Sequence, residues 1–149
     1  MAAPWATDAL FAGDAIVQRL QQQVPALRLV GQVDAFTGDH ETPRQMPAAL
    51  VLLHDLRVSQ RNALRAEVTT EQDWLVALAV RSASAAGAAN AESFGALVPQ
   101  VVAALQGWAP PGTQRPLAWG TGPRPNYGRN VSWFPLLFTL QVVATAPAA

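Results

Sequence analysis

The chain has 149 residues, half apolar and 13% charged, enough to bury roughly 70% of its unfolded surface in one core and too apolar for long-range disorder. Ten arginines balance ten acidic residues, so a net charge of zero argues against nucleic acid or an anionic membrane as main partner, and leaves little repulsion to oppose self-association. Cysteine is absent, which excludes disulfides, thiolate metal sites and cysteine nucleophiles.

The opening "MAAPWATDALFAGDAIVQRL" has no basic start and carries Asp8 and Asp14 within its apolar stretch, which makes a poor signal peptide. No apolar run reaches the ~18 residues needed to cross a bilayer. A protein made and kept in a cytoplasm is expected. Over residues 7–24, Leu10, Ile16, Val17, Leu20 and Val24 share one helical face, with Gln18, Arg19, Gln21 and Gln22 opposite. Thr7 or Asp8 is the expected cap, Pro25 the stop, and Gly13 beside the stripe permits close backbone approach.

"LRLVGQV" (residues 27–33) alternates as a short strand, followed by "DAFTGDHETPRQM", a long loop of mixed character. "PAALVLLHDLRVS" (residues 47–59) is a strand apolar on both faces in its first half. Its second half turns Asp55, Arg57 and Ser59 one way and Leu56 and Val58 the other. "SQRN" (residues 59–62) is the expected hairpin turn. Leu64, Ala66 and Val68 then alternate with polar residues, and after "TTEQD" the pattern resumes at Trp74, Val76, Leu78 and Val80. One long bent strand or two strands with a bulge both fit.

After the small-residue stretch "SASAAGAANAES", Phe94, Leu97, Val98, Val101, Leu105 and Trp108 recur at helical steps. Pro99 kinks this helix or marks its first turn, and Gly107 is the expected stop. "RPLAWGTG" reads as a short strand and "PRPNYGRN" as a turn-rich loop. The closing "SWFPLLFTLQVVAT" places Phe134, Leu136, Phe138, Leu140 and Val142 on one strand face. Its other face begins with Trp133, Pro135 and Leu137 and turns polar only at Thr139 and Gln141, so the first half needs cover on both sides.

The expected architecture is a single α+β domain over residues 1–149. It has a largely antiparallel or mixed sheet of four to six strands, two principal helices on one face, and the order α-β-β-β-α-β(β). His40 and His54, with Asp39, Glu41 and Asp55 nearby, lack metal-ligand spacing and read as solvated or half-buried side chains. There is no GxSxG, and "GTGPRP" precedes prolines rather than a helix, so it cannot cradle phosphate. Glu71 and Asp73 read as solvated charges. No cofactor, metal or catalytic group is expected. Trp119, Arg124, Tyr127 and Arg129 gather aromatics and arginines, the types enriched at protein interfaces, in one Gly/Pro-rich loop, with Trp133 just after it. Such residues also stack bases in single-strand sites, which zero net charge disfavours. Arg57, Arg61 and Arg65 surround the expected hairpin tip.

In order, "AIVQRLQQQVPALRLVG", "PAALVLLHD", "QDWLVALAVRSASAAGAA", "VVAALQGWAPPG" and "FPLLFTLQVVAT" resemble the tail terminator (tail completion) proteins of long-tailed phages and phage-tail-like particles, over roughly residues 15–145. The resemblance implies a structural protein that forms a closed ring, commonly a hexamer, from copies of itself. Such a ring caps the tail tube protein's polymer, ends its growth, and faces the head-side connector or neck protein. It also implies assembly in the host cytoplasm followed by residence in the virion tail. No residue role carries over individually. Arg57, Arg61, Arg65, Trp119, Arg124, Tyr127, Arg129 and Trp133 are the expected contact residues. The alternatives are a neck or head–tail joining protein of the same tail, and a soluble enzyme or ligand-binding domain with Trp119, Arg124 and Tyr127 as its pocket.

Overall fold

A computed structural model describes residues 5, 7–32, 43, 45–64, 66–82 and 88–145 of the chain. Its elements are α1 (Ala12–Gln23), β1 (Leu29–Gly31), β2 (Ala48–Asn62), β3 (Glu67–Arg81), α2 (Ala88–Leu105), β4 (Ala118–Gly120), β5 (Asn126–Tyr127) and β6 (Val131–Thr145). The strands form one mixed sheet in the order β1-β2-β3-β6-β4. β1 runs parallel to β2, and every other pairing is antiparallel. Because β3 pairs one edge of β6 along its whole length, β4 and β5 both lie on the other edge. The α+β architecture with two helices and a largely antiparallel sheet is the one expected.

Both helices cover the same sheet face. Ile16 and Leu20 of α1 and Val101 and Leu105 of α2 are fully buried against Val51, Val76, Leu78, Phe138 and Leu140. The helices also hold each other: the Arg19 guanidinium donates to the Ala104 carbonyl at 3.0 Å and lies 5.2 Å from the Trp108 ring centre. Gly13 allows the close approach. A Cβ there would stand 2.7 Å from Gln32 Oε1 and 3.0 Å from the Trp74 ring. Gly107, with φ +79°, turns the chain out of α2 through the left-handed region, as a helix-ending glycine does.

Three boundaries differ from expectation. Helix α1 starts after Phe11, which makes no capping side-chain bond. Asp8 instead accepts from the Leu10 N–H at 2.9 Å in the turn before it, an Asx contact that uses the carboxylate one turn early. Residues 59–62 do not turn; they continue β2, and the reversal comes at residues 63–66, where Ala66 takes φ +50°. The polar "SQRN" marks solvent exposure rather than a turn, because residues 54–62 of β2 are exposed without a break. Asn126 and Tyr127, expected in a loop, pair with Trp133 and Ser132 as β5. The long second segment is one strand, β3. The irregularities lie in β2, where register shifts between Leu53 and Asp55 and between Val58 and Gln60 leave His54 and Ser59 as extra residues. Pro99 lies inside α2 rather than in its first turn.

The face of β6 away from the helices is covered in part by the chain itself. Leu137 is 8% exposed, and a Cβ on Gly122 would lie 3.1 Å from its Cβ. Beside it, Ala48 and Ala79 are buried with Leu29, Met46, Leu50, Val131 and Trp133 packed around them. Trp133 and Pro135 stay half-buried.

Candidate functional site

The register places the expected contact residues on two opposite flanks of the sheet. Trp119, Arg124, Tyr127, Arg129 and Trp133 gather around the β4–β5 edge, whereas Arg57 and Arg61 lie on β2, beyond both β6 and β3. Arg65 lies outside the described residues, as do Asp39, His40 and Glu41.

On the β4–β5 flank, Trp119 pairs with Phe138 and Tyr127 with Ser132, which puts both aromatics on the helix-bearing face. Tyr127 lies 6.4 Å from the Phe94 ring at a tilted angle, and Phe94 lies 5.2 Å from Phe134. Even so, Trp119 and Tyr127 remain 48% and 51% exposed, more than an inward-packed aromatic leaves to water. Arg124 and Arg129 are exposed and make no ion pair among the described residues. A depression of about 430 Å³ lies between Trp119, Gly122, Pro123 and Pro135, but neither Arg124 nor Tyr127 lines it. Trp119, Arg124 and Tyr127, expected together in one pocket, do not share this one.

Arg57 has a different environment. On the sheet face away from the helices, cross-strand pairing sets Asp55 opposite Asp73 and Arg57 opposite Glu71. The guanidinium donates to Asp73, to Asp55 at 3.0 Å and to Glu71 at 3.0 Å. Asp73 accepts a further bond from the Thr139 hydroxyl at 2.8 Å. The Arg57 guanidinium, and then Thr139, hold the Asp73 carboxyl below its usual range against the opposing effect of burial. Asp73, then Asp55 and Glu71, in turn raise the Arg57 pKa, so it stays charged throughout. One cation against three carboxylates leaves this face of the arm acidic.

The stability these bonds give through Asp73 is complete above the ordinary carboxylate pKa of about 3.9 and is lost as pH falls through the lower folded value. We expect Arg57→Met to be destabilised relative to the parent at pH 7, with the difference shrinking as pH falls below about 4. Urea unfolding of both proteins across that range measures it. A difference independent of pH would refute the coupling.

Sequence reading missed two features. The Arg57 network depends on which residues face each other across β2 and β3, and an alternating pattern alone does not carry register. It also missed exposed apolar side chains on strand edges: Leu56 at 44% and Val58 at 52% on β2, and Val143 at 50% on β6. No group of three metal-ligating side chains occurs among the described residues, and His54 is exposed on β2. No described helix is long and apolar enough to cross a membrane.

Compared with known families, residues 6–147 match the family model described as phage tail terminator protein. No curated protein matches the chain.

Proposed function

From the premise that the chain belongs to the phage tail terminator family, and so has a structural role in a phage tail, we propose that six copies close into a ring that caps the tail tube. One face of the ring fits the last layer of tube protein and refuses another. The other face receives the head-side connector or neck protein. The role is steric and non-catalytic, carried by one domain that assembles in the host cytoplasm and stays in the virion tail. A closed head-to-tail ring uses two different patches per subunit and leaves no free ends.

The observation that carries this reading is the pair of exposed apolar flanks on one small sheet, at β2 and at the β4–β6 side, in a chain with zero net charge. The contact residues proposed for subunit or tube are Arg61 on β2 and Arg65, four positions on in the sequence, and Trp119, Arg124, Tyr127, Arg129 and Trp133 on the opposite flank. Arg57 contributes by holding the carboxylates beside it. Deleting the gene from its phage or prophage should give tails of uncontrolled length, restored by supplying the protein from a plasmid. Tails of normal length that fail to join heads would instead assign the chain to the neck.

A further inference from the structure

A sheet edge exposes a row of backbone N–H and C=O groups that pair with any strand that reaches them. Besides the short end strands β1, β4 and β5, two long stretches among the described residues are such edges. β1 pairs only Ala48, Ala49 and Leu50, so no described strand lies against the outer edge of β2 from Val51 to Asn62. β4 pairs only as far as Thr139, so no described strand lies against the outer edge of β6 from Leu140 to Thr145. Both edges bound one three-stranded arm, because β3 pairs with β2 on one side and with β6 on the other down to its first residue, Glu67.

The edge of β6 is recessed. A cleft of about 540 Å³ runs beside it, lined by Trp5, Phe11, Thr113 and Arg115, with Gln141 and Val143 on the strand itself. The edge of β2 projects, with Leu56 and Val58 exposed. Through their shared partners on β3, Leu56, Val58 and Gln60 on β2 stand level with Leu140, Val142 and Val143 on β6.

Resting on the ring reading above, we infer that the ring closes by edge-to-edge strand pairing: β2 of one copy enters the cleft of the next and pairs with its β6. With the strands running roughly along the ring axis, rotation about that axis preserves strand direction. Within the chain β2 and β6 both run antiparallel to β3, so the joint between copies is parallel. Leu56 and Val58 then lie on the side of Trp5 and Phe11. The pairing runs around the ring and leaves no strand edge open at the joint. A second copy is the fitting occupant because one molecule carries both the projecting and the recessed edge, at the same height and on opposite sides.

The test uses the absence of native cysteine. Gln60 and Val143 both pair with Thr69, so they lie two strand spacings apart within one chain. That is roughly 9.6 Å, beyond the reach of an intramolecular disulfide. Gln60→Cys with Val143→Cys, and separately Gln60→Cys with Gln141→Cys, are oxidised alone and on purified tail tubes, then run on non-reducing gels. The inference expects a covalent ladder up to the full ring from at least one pair and none from the single variants. Rings seen by light scattering that stay uncrosslinked in both pairs would overturn the joint and leave the ring reading standing. Monomers both alone and on tubes would overturn the two together.

Discussion

Trp74→Ala should cost the folded chain about 3–5 kcal/mol, a large share of the ~5–15 kcal/mol by which such domains are stable. Trp74 is 1% exposed and lies between Leu53 and Phe138 in the sheet register, at the level where Gly13 brings α1 down onto the strands. Truncation removes the largest wholly buried side chain and opens a cavity that α1 and the sheet cannot both close. It also breaks a polar chain. Trp74 Nε1–H donates to Gln72 Oε1 at 2.9 Å, and Gln72 Nε2 donates to the Ala9 carbonyl at 2.8 Å. Gln72 is itself fully buried, so losing Trp74 strands an acceptor in the interior. Thermal unfolding should shift down by roughly 10 °C. A loss under about 1 kcal/mol in urea would show that the helices are not anchored at this side chain.

Leu56→Lys combined with Val58→Lys should abolish ring formation while leaving the subunit folded. Both side chains are about half exposed, so their replacement changes subunit stability by about 1 kcal/mol or less. At the joint between copies the same change removes two apolar contacts and places two ammonium groups beside Trp5 and Phe11. Natural proteins use lysine on strand edges to block pairing in this way. Losing about 3 kcal/mol of contact weakens each joint roughly a hundredfold. Circular dichroism checks the fold and light scattering counts the subunits. A double variant that still forms rings of parental mass at the same concentration would show that the β2 edge takes no part.

The helices and strands were legible because their burial is one-sided: Ile16, Leu20 and Val24, then Phe94, Leu97, Val101 and Leu105, each repeat at helical spacing and each are buried. The two apolar faces of β6 were legible as well, and half-buried Trp133 and Pro135 beside buried Leu137 show how far its own chain covers the second face. The hairpin turn was not legible. Its signal is polarity, and β2 is polar there because the arm stands in water, not because it reverses. The candidate site was legible only as residue types. Arginines and aromatics marked the two flanks, but the division between them follows from strand order, which joins β6 to β3 across α2 and leaves β2 at the far side. The strand edges had no sequence signal at all, since an edge is defined by which partner is missing and not by the residues on the strand.

The most direct measurement is electron microscopy of growing tail tubes to which the purified protein is added. The account predicts that elongation stops and that each tube carries a six-fold ring at one end, with Leu56→Lys/Val58→Lys protein leaving growth unchecked. Tubes that lengthen at the same rate with saturating parental protein, their ends bare, would contradict it.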